Sequence, residues 1–273
     1  MFKIYDLNMK EITLPKGVMP LEIFVGSVAK NRVTEAVDGR SGVVDYGFNY
    51  TDRPVSLFLR IKAADKIDFR LLRNEVFATF DVGNAFYVAE SDVPSRVLKV
   101  VVDESYIPDR LTEEYADFDI NCRTLDSVFW ESKYTTLELH DSGYAHSAEK
   151  YGLVDNINDE KVKYRFTESN FTVYNAGNVT VEPESMFLKI YASLVVGDEF
   201  TITNHTTGEV FKLLTKLESR NISIDGMIVK NGTFNAFRDT NKRFISLAPG
   251  DNSISVTGAT FNEIRFNFKY YYK

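Results

Sequence analysis

Odd and even positions separate cleanly near the end of the chain. In Ile264-Arg265-Phe266-Asn267-Phe268-Lys269-Tyr270 the apolar residues Ile264, Phe266, Phe268 and Tyr270 alternate with Arg265, Asn267 and Lys269, the period of two that marks a half-buried strand. From about residue 164 onward turn signals recur at short intervals: Asn175-Ala176-Gly177-Asn178, Val196-Gly197-Asp198, Thr207-Gly208, Asp225-Gly226, Asn231-Gly232 and Pro249-Gly250-Asp251-Asn252. Between them lie runs such as Met186-Phe187-Leu188-Lys189-Ile190 and Phe200-Thr201-Ile202. Asn-Gly and Asp-Gly favour tight hairpins because both central residues take positive φ. The pattern predicts a β-sandwich of about eight to ten strands over residues 164–273.

The first half reads differently. In Val55-Ser56-Leu57-Phe58-Leu59-Arg60-Ile61 the residues Val55, Leu57, Leu59 and Ile61 share one face while Phe58 interrupts the polar one, so both faces of this strand are expected to be partly covered. Phe69, Leu72, Val76, Phe77 and Phe80 then fall on one stripe of a 3.6-residue period, which predicts a helix over about 65–81. Asp65 is its expected N-cap, Asp68 lies in its first turn, and Gly83-Asn84 is its stop signal. The aromatic stripe reads as a core face rather than a ligand pocket. Strands are expected at Phe86-Tyr87-Val88-Ala89, from Val97 to Val102, and around Phe118-Asp119-Ile120-Asn121-Cys122. The fold class is therefore mostly β with one helix: an N-terminal β-barrel or open sandwich over 1–140, ending past Phe129-Trp130, a polar connection over 141–163, and the C-terminal sandwich.

Composition narrows the function classes. With 44% hydrophobic residues, 21 Phe and 15 Tyr in 273 residues, the chain has material for two packed cores, and its aromatic content suits strands. A net charge of −7 and the absence of a basic run speak against binding nucleic acid by neutralising phosphates. Apolar runs such as Val100-Val101-Val102 are far shorter than the roughly 20 residues that span a bilayer. The opening Met1-Phe2-Lys3-Ile4-Tyr5 alternates like a strand and has no signal-peptide core, so folding in a cytoplasm is expected. The single cysteine, Cys122, shares its face with Phe118 and Ile120 and reads as a buried small hydrophobe rather than a reactive thiol.

No phosphate loop, dinucleotide fingerprint, nucleophile elbow or zincin motif occurs, so no catalytic residue, cofactor or metal is assigned. His140 and His146 fall in a polar stretch without a third ligand, and His205 stands apart. Asp117 with Asp119 and Glu182 with Glu184 are the carboxylate pairs to test for glycosidase chemistry, and a solvated sheet surface accounts for both. The stretch Asp155 to Glu160 fails the calcium-loop template, with Ile157 at its third position and no glycine. Asn49, Asn170, Asn178, Asn204, Asn221 and Asn231 open N-x-[ST] triplets and are expected to be turn residues.

Taken in order, these features resemble the distal tail proteins of siphophages, the Dit family of tail-tip hub proteins. The resemblance is carried by Val37-Asp38-Gly39-Arg40-Ser41-Gly42, the helix from Ala64 to Phe80, Phe129-Trp130, and Asn175-Ala176-Gly177-Asn178-Val179-Thr180-Val181-Glu182-Pro183. Ile222-Ser223-Ile224-Asp225 and Leu247-Ala248-Pro249-Gly250-Asp251-Asn252 complete it. It implies a virion tail-tip location and a hexameric ring in which N-terminal β domains form a belt and galectin-like C-terminal β-sandwiches project outward. It also implies partners: a tail tube protein, a tail-associated lysin or fibre protein, and in some phages a receptor-binding protein. Asp38, Gly39, Arg40, Gly42 and Arg53 are the candidate intersubunit contacts. A second reading, a carbohydrate-binding module for host wall glycans, would use Asn204, His205 and Arg220. Galectins stack sugar on a tryptophan, but the one Trp here, Trp130, lies outside the sandwich, leaving Tyr174 and Tyr191 as substitutes that core or surface packing explains better.

Overall fold

The computed structural model describes residues 1–81, 83–142, 157 and 159–273. Two compact units emerge, Met1–Trp130 and Glu131–Tyr272. Residues 131–142 thus belong with the second unit, and the division falls about ten residues before the expected edge near 140. His146 and, in the stretch from Asp155 to Glu160, residues 155, 156 and 158 lie outside the described residues.

The first unit contains β1 (Phe2–Tyr5), β2 (Val18–Val25), β3 (Lys30–Ala36), β4 (Val43–Tyr50), β5 (Pro54–Lys62), α1 (Lys66–Phe80), β6 (Phe86–Glu90), β7 (Arg96–Val102), β8 (Asp109–Arg110) and β9 (Tyr115–Thr124). Its main sheet runs β1-β6-β7-β9-β5-β2, with β8 added on β9. The two ends of that path, β1 and β2, come back into contact, so the sheet curls towards a barrel. The central pairing shows why. Val55, Leu57, Leu59 and Ile61 stand opposite Cys122, Ile120, Phe118 and Ala116, and all eight are buried, so one alternating face of each strand makes the interior. On the opposite face Phe58 is half-buried, as its interruption of the polar side predicts.

Helix α1 covers this core with Phe69, Leu72, Val76 and Phe80. Asp65 caps it, its carboxylate accepting from the amides of Ile67 and Asp68, which satisfies two of the donors that a helix start leaves open. The Asp81 amide closes the last turn on the Phe77 carbonyl, and Gly83 follows with φ +65°. Cys122 is buried, and desolvation pushes its thiol up to about 12, which keeps it protonated and unreactive.

The second unit contains β10 (Trp130–Ser132), which begins at the division, α2 (Thr136–Ser142), β11 (Arg165–Phe166), β12 (Asn170–Asn175), β13 (Leu188–Asn204), β14 (Glu209–Leu213), β15 (Leu217–Asp225), β16 (Ile228–Asn231), β17 (Phe234–Asn235), β18 (Gly250–Thr260), β19 (Glu263–Phe268) and β20 (Tyr271–Tyr272). It is a β-sandwich built around one long strand. The first part of β13 pairs with β15 and β19, and its last part with β14 and β18. One layer is thus β11-β19-β13-β15-β16-β17 and the other β12-β18-β13-β14. The alternation read from Ile264 to Tyr270 holds: Ile264, Phe266, Phe268 and Tyr270 are fully buried.

Three expectations are corrected here. The runs around Met186–Ile190 and Phe200–Ile202 were expected to flank a turn at Val196-Gly197-Asp198, yet both belong to β13, which passes through that tripeptide with bulges. Gly197 is there for approach rather than for turning. A Cβ at this position would collide with the Gly258 carbonyl oxygen and lie 2.7 Å from Ala259 on β18. Second, the helix α2 joins α1. Its start carries half of a capping box, the Glu138 carboxylate reaching back to accept from the Thr135 amide (2.7 Å) and also from its hydroxyl (2.9 Å). Buried Thr136 then ties the helix to β19, donating to the Phe266 carbonyl and accepting from the Phe268 amide. Third, Asn49, Asn170, Asn204, Asn221 and Asn231 lie within strands rather than turns.

Candidate functional site

The chain's least satisfied element is the hairpin of β3 and β4. It forms a two-stranded sheet of its own, and β3 is exposed along its whole length. A lone two-stranded ribbon is marginal in water, and this one gains local support from its side chains. On the face shared by Lys30, Arg32, Phe48 and Tyr50, the Lys30 ammonium sits 4.5 Å from the Phe48 ring centroid. The Phe48 and Tyr50 rings meet edge-on at 5.3 Å, and Arg32 pairs with Asp45. On the other face the Tyr46 hydroxyl donates to Glu35 at 3.1 Å. Val33, Val37, Val43, Tyr46, Phe48 and Tyr50 nonetheless remain exposed. Exposed apolar surface of this kind is uncommon on a single folded chain and is characteristic of contact sites.

The predicted contact loop is the tip of this arm. Asp38, Gly39, Arg40 and Gly42 are all exposed, Gly39 and Gly42 turn the chain with φ +82° and +87°, and a single backbone bond from the Arg40 amide to the Val37 carbonyl closes the turn. Arg53 sits elsewhere. It is 8% exposed, its Nε donates to the Gly26 carbonyl, and its amide donates to the Thr124 hydroxyl at 2.8 Å. Burial holds its pKa below the ordinary guanidinium value. Arg53 therefore fastens the root of the arm, because Gly26 and Arg53 flank it in sequence, and it presents no guanidinium to a neighbour.

Beside that root opens the mouth of the barrel, a cleft of about 820 Å³. Its floor includes Ile23, Val25, Val55 and Cys122, and its rim carries Asp52, Glu90, Asp103, Glu104 and Arg123. Arg123 reaches Asp103 at 3.2 Å and Asp52 at 3.9 Å, so the rim holds four carboxylates against one cation.

The residues expected to hold a glycan do not converge. Asn204 is fully buried, its amide donating to the Ser246 carbonyl at 2.8 Å and to Asn252 at 3.1 Å while its oxygen accepts from the Thr206 amide. His205 is exposed and engages the Ser255 hydroxyl at 2.8 Å. Arg220 lies on β15 opposite Val195, in the middle of β13, whereas Asn204 ends that strand. The substitute platforms are also taken, since the Lys161 ammonium lies 4.9 Å from the Tyr174 ring centroid and the Arg265 guanidinium 5.6 Å from that of Tyr191.

The carboxylate pairs are likewise committed or exposed. Asp117 receives Arg60 through two bonds of 2.6 and 2.7 Å, and Asp119 accepts from Ser56 at 3.4 Å. Glu182 and Glu184 are exposed. The hydrogen bond from Arg60 holds the Asp117 carboxyl below its ordinary value. Because the folded pKa is the lower one, the pair's contribution is complete above the unfolded carboxylate range, around pH 4, and fades as pH falls through the folded value. Arg60→Met is expected to return the Asp117 pKa towards that range, measurable as an upward shift of its carboxyl titration by NMR. An unmoved titration would mean that the pair does not set it. Among the described residues no group of three or more His, Cys, Asp or Glu is placed to hold a metal ion, and no helix is long and apolar enough to cross a membrane.

Against known proteins, residues 7–122 match the family model described as phage tail protein RIFT-related domain. No curated protein matches the sequence. Among solved structures, the crystal structure of the SPP1 Dit protein, described as a paradigm of the hub adsorption apparatus in Gram-positive infecting phages, superposes with a TM-score of 0.67. The identity is 11%, and the alignment covers 99% of both chains. The phage P2 baseplate in its activated conformation aligns at 0.49 with Ca and 0.47 with Sr, at 9% and 10% identity, over 98% of this chain and 97% of each counterpart. The resemblance read from the sequence is borne out in the tail-protein domain and in the fold of the whole chain.

Proposed function

We propose that this chain, which carries a phage tail protein domain over residues 7–122, is a non-enzymatic structural hub of a siphophage or prophage tail tip. Six copies form a ring that joins the tail tube to the tail-associated lysin or fibre and presents a surface for receptor-binding proteins. It is made in the host cytoplasm and resides in the virion. The observation that carries this reading is the extent of the likeness to SPP1 Dit, which takes in 99% of each chain and therefore both units rather than a shared domain alone.

Physical features support an assembly role. The arm of β3 and β4 exposes apolar residues on a ribbon that has no core of its own, and a ring of identical subunits, whose contacts are head-to-tail, gives each such arm one neighbour. The carboxylates of Asp117 and Asp119 are spent on Arg60 and Ser56, which favours a structural over a hydrolytic role. The reading is tested by labelling intact phage particles with antibody against this chain. Label confined to the tail end distal to the head supports it, and label along the tube, on the head or absent from virions overturns it.

A further inference from the structure

We propose that the acidic mouth of the first unit is the receptor for the arm tip of a second copy of this chain. The proposal rests on the ring reading and names the contact that would close it. Two incomplete surfaces lie on the same unit. Arg40, at the exposed arm tip, has no side-chain partner among the described residues, and Val37 and Val43 beside it are 44% and 61% exposed. The mouth offers the complement: among the described residues Glu90 has no side-chain partner and Glu104 is held only by the Asn121 amide at 3.3 Å, and the lining includes the Phe24 ring, 57% exposed. An arginine entering between those carboxylates would gain charge-assisted bonds, and the flanking valines would cover the exposed Phe24 ring.

A copy cannot satisfy itself in this way. Gly26 and Asp52, which line the mouth, are also the residues between which the arm is rooted, and no residue from 27 to 51 lines that mouth in the single chain. The arm's seven-residue strand β3 reaches roughly 23 Å at ~3.3 Å per residue before the tip loop is added. A unit of about 130 residues has a radius of gyration of ~14 Å, so the tip arrives over the neighbouring copy. Each mouth then takes one arm and each arm one mouth, the head-to-tail contact that closes as a ring. Glycines at 39 and 42 suit the insertion, since a Cβ at either position would meet nothing within 4 Å in the single chain, leaving slim backbone to enter the cleft.

Charge reversal in the full-length chain, followed by sedimentation velocity, tests this. Arg40→Glu and Glu104→Arg are each expected to weaken self-association by about tenfold or more, since like charges then face each other, and the double variant is expected to restore it. Both positions in the test, Arg40 and Glu104, are surface sites, so melting temperatures serve to show that folding is unchanged. An Arg40→Glu chain that assembles like the parent, or a double variant no better than either single one, overturns the docking while leaving the ring reading intact. A parent chain that stays monomeric at every concentration, both alone and with tail-tube and lysin partners added, overturns both.

Discussion

Truncating Phe266 to alanine is expected to destabilise the second unit by about 3–5 kcal/mol. The ring is fully buried on β19, where its strand lies between β11 and β13. It meets Phe171 at 5.8 Å and Phe166 at 6.4 Å, centroid to centroid, and those two rings stack on each other at 4.1 Å. Removing Phe266 takes the partner from both and leaves a void that strands hydrogen-bonded on either side cannot collapse. The backbone at this residue is also held, donating to the Tyr164 carbonyl at 3.0 Å and accepting from the Thr136 hydroxyl at 3.1 Å, which limits relaxation further. Urea unfolding followed by tyrosine and tryptophan fluorescence measures the cost. The matching control is Phe234→Ala, whose ring is 68% exposed and whose loss is expected to move the midpoint by no more than about 0.5 kcal/mol. A Phe266→Ala cost below about 1 kcal/mol would contradict the packing described.

Asn204→Ala is expected to cost about 2–4 kcal/mol, because it strips partners from several buried polar groups together. Its side chain serves the Ser246 carbonyl, the Thr206 amide and the Asn252 oxygen. Asn252, also fully buried, passes the network to Ala248 through bonds of 2.9 and 2.8 Å. The pair thus pins the end of β13 to the loop that precedes β18. His205→Ala, one residue on and exposed, is expected to be nearly neutral. A glycan site would give the opposite pattern: altered sugar binding with stability unchanged in the Asn204 variant. Thermal unfolding of both variants together with a wall-polysaccharide binding assay separates the two cases.

These two residues mark the limits of what the chain's pattern reveals. Phe266 was legible because strand period is local: every second residue from Ile264 to Tyr270 is apolar, and the sheet buries that set. Helix α1 was legible for the same reason, with Asp65 at its cap and an apolar stripe at helical spacing. Asn204 was not, because an asparagine near a Thr-Gly turn looks the same whether its amide faces solvent or a buried carbonyl contributed by residue 246. Arg53 failed likewise, since its partners at Gly26, Thr124 and Val128 are distant in sequence. Gly197 was read as a turn because a glycine needed for close approach of two strands and one needed for positive φ are the same letter. Helix α2 did leave a signal, Thr135-x-x-Glu138 followed by Leu139, but its seven residues are too few for a periodic stripe to stand out. At the candidate site, the loop from Asp38 to Gly42 could be read as exposed, whereas the acidic mouth could not be read at all. Glu90, Glu104 and Arg123 come from separate stretches that only the curling of the sheet brings together.

The central claim is that this chain assembles into a closed ring, and the mass and shape of the purified full-length protein test it most directly. Light scattering is expected to give six copies of the 31.2 kDa chain, and negative-stain images of the same sample are expected to show six-fold particles with a central opening. A monodisperse single copy that stays so when tail-tube and lysin partners are added would contradict the account.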